Sequence, residues 1–299
     1  MMTQNLAHYQ LLDSGLGRKL EIIAGIKVNR PSPQAIWKPQ SKEAEWALAN
    51  SNLIRTKDGG GKWEHRKDPS PNLNFSCDIH GRQFQFRLKF TSFGHCGIFF
   101  EQMPVWEWLY QEVKILKEKL GRAPKVINLF GYTGCASIVM AAAGAEVYHV
   151  DSSKGVLDWG KESQALSKVS ENSIRWVQGD AQEFIRHSFK KNFHYDGILA
   201  DPPSWGHGVK KEVWDFEKHI HLLVEGILSV INRENSFMFL TSHTHGVQPE
   251  ALKNLVADKR WKKIECGELG VKHLSSDRIL PAGIYVTAKS YQGPELSKV

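Results

Sequence analysis

The sequence predicts an α/β fold, a parallel sheet covered by helices on both faces, with a small β-rich region in front of it. Three observations predict it. From residue 125 to residue 257, short β-branched apolar runs alternate with stretches of helical spacing, the pattern of repeated strand–helix units. The successive runs end in a glycine loop (Gly131, Gly134), in Asp151, in Asp180 and in Asp201, at the strand ends where ligands gather in such sheets. Residues before about 100 lack this alternation and follow a two-residue period instead.

In the N-terminal part, RKLEIIAGIKV (18–28) and NFSCDIHGRQFQFRLKF (74–90) carry the clearest strands. In the second, Phe84, Phe86, Leu88 and Phe90 alternate with Gln85, Arg87 and Lys89, and His80–Gly81 reads as a hairpin turn. Between them lies IRTKDGGGKWEHRKDPSP (54–71), glycine-rich, basic and ended by proline, which reads as a mobile loop. Within it Trp63, among Lys62, Arg66 and Lys67, either stacks on a base or, on the plainer reading, anchors the loop to the protein.

From residue 104, PVWEWLYQEVKILKEKL places Trp106, Leu109, Val113, Leu116 and Leu120 at helical spacing. Strands then fall at 125–130, 146–151, 174–180, 195–203 and 236–243, with helices at 134–143, 153–168, 181–190, roughly 212–232 and 248–257. Two final strands at 261–269 and 283–291 have no helix between them and predict an antiparallel hairpin at one edge. The boundary near 100–105 divides the chain into a β-rich region, 1–103, and an α/β domain, 104–299.

Composition narrows the class. With 299 residues and 41% hydrophobic content a sizeable core can form. No stretch approaches the roughly 18 unbroken apolar residues of a membrane span, and the N-terminus has no basic segment followed by an apolar one. The expectation is a soluble, cytoplasmic protein. Four scattered cysteines without a CxxC pair suggest a reducing compartment and no zinc site. The net charge of +7 is uneven: residues 1–104 hold 14 Lys and Arg against 9 Asp and Glu, the remainder 25 against 23. A basic N-terminal third suits a polyanion, although an ordinary solvated surface has the same composition.

The chemistry lies at the strand ends. In NLFGYTGCAS (128–137) a glycine loop joins a strand to a helix N-terminus, where small residues let the backbone approach a ligand and the helix end favours a carboxylate or phosphate. Asp151, about 20 residues after Gly131, is placed to take hydrogen bonds from both hydroxyls of a ribose. Asp180 in QGDAQ could meet an adenine amino group, with the backbone N–H of Ala181 beside it. A dinucleotide fits less well: its fingerprint is G-x-G-x-x-G, whereas this loop is G-x-x-G with Tyr132 where a pyrophosphate needs bare backbone. DPPSW (201–205) adds a fourth feature, an acid followed by two prolines that make a rigid rim.

With these four features, VINLFGYTGCASIVMAAAGAEVYHVDSSKGVLDW (126–159) and YDGILADPPSW (195–205) resemble the class I S-adenosylmethionine-dependent methyltransferases, within them the branch that modifies bases of large-subunit ribosomal RNA. The resemblance is strongest over about 95–205. It implies a Rossmann-like sheet, S-adenosyl-L-methionine as cofactor, RNA (ribosomal RNA) as partner, and neither membrane nor metal. It places Phe130, Gly131, Tyr132, Thr133 and Gly134 against the methionine part, Asp151 and Ser152 at the ribose, Asp180 and Ala181 at the adenine. Asp201, Pro202 and Pro203 would be catalytic, with Ser204 and Trp205 lining the target-base pocket. FGHCGIFFEQ (93–102) is similar to a segment that closes over the cofactor in this branch, which makes Gln102 a further cofactor candidate.

The departures matter as well. Methylation at C5 of cytosine needs a thiolate that adds at C6, in the DPP motif or just after the fifth strand. Here those places read DPPSW and FLTSHTHG, without cysteine. Cys135 reads as a small packing residue; Cys77, Cys96 and Cys266 lie outside both places, and Cys96, in a glycine-rich turn, is the one weak candidate that remains. A ring nitrogen or an exocyclic amine is therefore favoured. C5 methylation, a protein or small-molecule substrate, and a binding protein without turnover are the rivals. Ser163 stands where the branch often has asparagine. His243 and His245 follow the fifth strand; as a pair they suggest a metal or a proton acceptor, and on the plainer reading they are turn histidines near an RNA-facing rim.

Overall fold

The computed structural model describes residues 1–4, 6, 8–56, 60–92, 94–208 and 213–292, without the side chain of His207. Two compact units emerge: Met1–Pro104 with Leu269–Ala282, and Val105–Glu268 with the chain from Gly283 on.

The first unit is built from strands. A short β1 (Met2–Thr3) precedes β2 (Tyr9–Gly15), β3 (Arg18–Ile23) and β4 (Ile26–Pro31), and a one-turn α1 (Glu43–Trp46) leads to β5 (Ser51–Arg55) and β6 (Gly61–His65). Strands β2 to β6 form one sheet in chain order, antiparallel except between β4 and β5. The predicted mobile loop 54–71 is thus corrected in part: Leu53 pairs with Trp63 across a regular ladder. The cause is a two-residue period in Lys62, Trp63 and Glu64 that the glycines masked. A Cβ at Gly61 would lie 2.7 Å from Leu53 Cδ1, so the end of that side chain would have to shift to admit one. Residues 57–59, the tip of that loop, lie outside the described residues. Trp63 follows the plainer expectation: its indole N–H donates to the Thr91 carbonyl (2.8 Å), and its ring meets Phe90 edge-on at 4.7 Å.

A separate hairpin joins β7 (Asn74–Ile79) to β8 (Arg82–Arg87). Its turn is the predicted His80–Gly81 pair, at φ +51° and +79°, the left-handed pair of a type I′ turn. Phe75, Phe84 and Phe86 are fully buried. A buried ion pair clips β3 to β4, with Arg30 donating to both oxygens of Glu21 at 2.8 and 3.0 Å.

The second unit opens within α2 (Met103–Leu120), which buries Trp106, Leu109, Val113 and Leu116 as their spacing predicts. Then come β9 (Lys125–Leu129), α3 (Cys135–Ala143), β10 (Glu146–Asp151), α4 (Lys154–Leu166), β11 (Ile174–Gln178), α5 (Ala181–Lys190) and β12 (Gly197–Ala200). A small hairpin, β13 (Trp205–His207) with β14 (Val213–Asp215), precedes α6 (Phe216–Val230), β15 (Phe237–Ser242) and α7 (Pro249–Val256). The last strands are β16 (Lys263–Lys272) and β17 (Ile279–Lys289).

The strand order is β11-β10-β9-β12-β15-β17-β16, with β1 outside β16. Strands β9 to β12 and β15 are parallel, and β17 runs antiparallel to β15. The fold class follows the sequence prediction. Two details differ. The helix expected from about 212 begins at Phe216, because Val213–Asp215 is a strand, and residues 209–212 lie outside the described residues. The edge hairpin is not the end of the sheet, since Met2–Thr3 pairs with Gly270–Val271.

Strand alternation decides which helices cover which face. Ile127, Leu129, Tyr148, Val150, Met238 and Leu240 share a core with Ile185 of α5, Leu223 and Ile227 of α6 and Leu252 of α7. On the opposite face, Trp108 of α2 meets Phe237 and Phe239 edge-on at 5.3 and 5.0 Å. There Ser137 of α3 bonds Asn128, and Gln164 of α4 accepts from Trp176.

Candidate active site

The chain leaves β9 towards β10 and β11, then returns on its other side as β12 and β15. The connections after β9 and β12 therefore diverge, which opens a crevice at the carboxyl ends of these two strands. Most of the residues picked from the sequence lie on the connections at this edge.

In the connection after β9, Phe130 (φ +55°), Tyr132 (φ +51°) and Gly134 (φ +77°) are left-handed. For the two aromatic residues this conformation costs on the order of 1 kcal/mol each, so the surroundings must hold it. They do: the Gly131 N–H donates to the Val150 carbonyl (3.1 Å), the Tyr132 N–H to Asp151 Oδ2 (2.9 Å), and the Gly134 N–H to the Gly131 carbonyl (3.0 Å). The reason for the glycines differs from the one the sequence suggested. A Cβ on Gly131 would lie 2.3 Å from His149 Cε1, and one on Gly134 2.5 Å from Trp176 Cη2. The space is needed by side chains under the loop, whatever binds above it.

Beneath the loop runs a buried polar chain. Asn128 Nδ2 donates to Ser137 Oγ (2.9 Å), which meets His149 Nδ1 (2.9 Å). Burial pushes the His149 imidazole down to about 3, so the ring is neutral at physiological pH.

Asp151, at the end of β10, accepts the Tyr132 N–H on Oδ2 and the Ser153 N–H on Oδ1, both at 2.9 Å. Burial pushes its carboxyl above the usual value, and the amide bonds to residues 132, 152 and 153 counter this. Each oxygen retains acceptor capacity. Ser152 follows it, half-buried. Asp180 caps α5, with Oδ1 accepting the Glu183 N–H (2.8 Å), and the buried Ala181 is the first residue of that helix.

After β12, Asp201 accepts the Thr241 hydroxyl on Oδ1, and His243 Nε2 stands 3.6 Å from the same oxygen. Pro202 is buried. The Pro203 carbonyl accepts the Trp214 indole N–H (2.6 Å), and the Ser204 carbonyl accepts the Phe216 N–H (3.1 Å). The Thr244 hydroxyl donates to Ser204 Oγ (3.0 Å). Trp205, on β13, is 59% exposed. Trp214, Thr241 and His243 are the residues that sequence reasoning undervalued. Trp214 packs 5.1 Å from Phe130 and so links the β9 and β12 connections. Its signal was present in the β-prone Val-Trp-Asp ahead of α6.

The cysteines stand as follows. Cys135 is buried in the first turn of α3, its Sγ 3.8 Å from Thr133 Oγ1. Cys77 and Cys96 are buried in the first unit, and Cys266 donates to Glu250 at 2.9 Å. Gln102 is buried in a one-turn helix (Phe100–Gln102) of the first unit, and Phe93, the start of its segment, lies outside the described residues. Among the described residues no group of three His, Cys, Asp or Glu could hold a metal ion, and no helix is long and apolar enough to cross a membrane.

A SAM-dependent methyltransferase from Agrobacterium tumefaciens, known from its crystal structure, is 32% identical, with a TM-score of 0.85, over 97% of this chain and 94% of that one. The chain belongs to the SAM-dependent methyltransferases. The family model for RNA cap guanine-N2 methyltransferases matches residues 123–260 of this methyltransferase. Ribosomal RNA large subunit methyltransferase K/L of Shewanella sp. (strain MR-4) is 35% identical over 143 residues, 46% of this chain and 19% of that protein. The protein of the same name from Colwellia psychrerythraea is 22% identical over 219 residues, 69% of this chain. The methyltransferase thus spans only 19% and 28% of these two relatives. Its cofactor is S-adenosyl-L-methionine. The carboxyl edge fits that group, with a carboxylate fixed by backbone amides beside a strained loop at the switch point.

Proposed function

We propose that this methyltransferase acts on a base of RNA, in the first place ribosomal RNA, at a ring nitrogen or an exocyclic amine. One observation carries the reading. The Asp201–Ser204 connection is held at the switch point by Thr241, Thr244 and Trp214, and neither it nor the connection after β15 offers a thiol. The names of the relatives and of the matching family favour RNA.

S-adenosyl-L-methionine supplies an electrophilic methyl group on a sulfonium, which a nucleophilic atom of the base takes up. The chain's own residues bind and align. Asp151, with Ser152 beside it, accepts the ribose hydroxyls. Asp180 offers Oδ2, since Oδ1 caps its helix, and Ala181 its N–H, to the adenine. Phe130 to Gly134 pack along the methionine part. A base leaves its stack to reach such a site. Asp201 and the carbonyls of Pro202 and Pro203 orient it, with Ser204 and the exposed Trp205 along its rim. Alignment contributes most, since the nucleophile needs no covalent activation. The basic first unit, with 14 Lys and Arg in residues 1–104, holds the RNA backbone.

The test is transfer of tritiated methyl from S-adenosylmethionine to ribosomal RNA of cells lacking the protein, followed by nucleoside mass spectrometry. Label in RNA at a nitrogen is expected. Label confined to protein or small molecules would overturn the RNA reading, and 5-methylcytosine would overturn the choice of atom.

A further inference from the structure

We infer that the methyltransferase has a second anion site on the side away from the chemistry, a basic cavity that holds the phosphate backbone of a long RNA; this rests on the RNA reading just given and adds where such an RNA is gripped. The cavity, of about 740 Å³, lies wholly within the second unit. It opens at the edge of the sheet where the parallel strands begin, opposite the edge that carries Asp151 and Asp201. Lys119 comes from the last turn of α2, Arg233 from the turn between α6 and β15, and Lys259, Arg260 and Lys262 from the connection between α7 and β16. Tyr291, just beyond β17, lines it as well, because β17 runs antiparallel to β15 and ends at this edge.

The charges are unbalanced. Five cations line the cavity with a single acid, Glu234. Asp258, close by, is spent on Arg260, whose Nε donates to its Oδ1 at 2.9 Å. Arg260 is itself structural: its side chain is 10% exposed, and Nη1 donates to the carbonyls of Leu228 (2.7 Å) and Ile231 (3.3 Å) at the end of α6. The other four differ. Lys119, Arg233, Lys259 and Lys262 are exposed, and among the described residues they form no ion pair. Helix C-termini attract cations, which accounts for Lys119 and Arg260 without a ligand. That attraction dies away within the last turn, and Arg233, Lys259 and Lys262 lie beyond the ends of α6 and α7 at Val230 and Val256.

Like charges gathered round one cavity repel one another, and a polyanion relieves the repulsion while releasing its own counterions. Among the described residues the one aromatic ring in the lining is Tyr291, which is buried with its hydroxyl donating to Glu112, so no ring is offered to a base. The ligand is therefore held by its phosphates. The cavity far exceeds one phosphate group, which suits consecutive phosphates of a chain. Strand β15, Phe237–Ser242, runs between the two edges and sets them roughly 20 Å apart at about 3.3 Å per residue. Only an RNA long enough to cover that distance meets both sites.

The test compares the wild type with R233A/K259A/K262A, which leaves Arg260 in place. Fluorescence anisotropy with labelled polyuridylate gives the dependence of affinity on salt. Each phosphate contact to a single strand contributes roughly 0.7 to the log–log slope, so the variant should flatten it by about 2. Lysine acetylation read by mass spectrometry should show Lys259 and Lys262 protected by polyuridylate and not by S-adenosylmethionine. Calorimetry should find the variant's affinity for S-adenosylmethionine unchanged, which shows that it folds. A slope unmoved by the variant, or lysines that acetylate equally with and without polyuridylate, would overturn the site. Protection by inorganic tripolyphosphate but not by polyuridylate would assign it to a small free anion and overturn the RNA contact. The two readings fail separately. Methyl found on ribosomal RNA with the slope unmoved removes this contact alone. A flattened slope with methyl confined to protein or small molecules removes the substrate reading alone.

Discussion

Asp151→Ala removes the one carboxylate that both braces the glycine loop and is assigned to the ribose, and the two roles have separable magnitudes. The brace consists of two amide hydrogen bonds of 2.9 Å, to the part-buried N–H of Tyr132 and the exposed N–H of Ser153. A hydrogen bond to a charged acceptor contributes roughly 1.5–3 kcal/mol. Water replaces the one to Ser153 but not fully the one to Tyr132, and the desolvation that raises the Asp151 pKa is relieved at the same time. Net destabilisation should therefore be about 1–3 kcal/mol. The ribose adds two further charge-assisted bonds, so affinity for S-adenosylmethionine should fall by at least about 3 kcal/mol, more than roughly 10²-fold. Asp151→Asn should be nearly as weak, because one of the two amides then faces an NH₂ donor. Urea unfolding reads the first quantity and calorimetric titration the second. A variant that loses stability but binds the cofactor as the wild type does would leave Asp151 as a brace alone and refute its place at the ribose.

Gly134→Ala puts a Cβ at φ +77° and 2.5 Å from Trp176. It should cost about 2–4 kcal/mol in denaturant melts, combining left-handed strain with overpacking. Adding Trp176→Leu should recover the packing part but not the strain. His149 should make the protein acid-sensitive. Its folded pKa of about 3 lies below the unfolded value of about 6.5, so the unfolded state binds the extra proton. Stability should be full above about pH 6.5 and fall, by up to about 1.4 kcal/mol per unit, as the pH drops towards the folded pKa. Melts of His149→Gln between pH 4 and 7 should lack that slope. Cys135→Ala should retain methyl transfer within a few-fold, whereas abolished turnover would revive a thiol mechanism. RNA affinity should fall linearly on a log–log plot against salt, and replacing the exposed Lys62 and Lys67 with alanine should flatten the slope by about 1.4–1.8.

What the sequence made legible followed from periodicity. Helix α5 and strand β10 match their predicted limits because apolar spacing and closing acids mark both ends. The parallel order was legible because strand–helix repeats leave few topologies. The misses have two physical causes. Strands of three residues, such as β13 and β14, are too short to show a period, which hid Trp214 and its bond to the Pro203 carbonyl. Contacts between residues 40 positions apart, such as Thr241 with Asp201, have no local signature at all. The motif marked the aspartate, and only the pairing of β12 with β15 brought the histidine to it.

The glycine loop shows how far a motif can be correct for a different reason. Gly131 and Gly134 are required by His149 and Trp176 beneath them, so their presence says little about a ligand. The ligand-dependent information lies in where the loop's N–H groups go. Those of residues 131, 132 and 134 are spent on Val150, Asp151 and Gly131, whereas a pyrophosphate cradle turns such groups outward to the anion. A loop that spends these three donors internally has fewer to offer several phosphate charges, and it can pack against a cofactor whose reacting group is a cation. Counting glycines only weakened the dinucleotide reading. The hydrogen bonds of the loop argue against it on energetic grounds and leave room for the sulfonium.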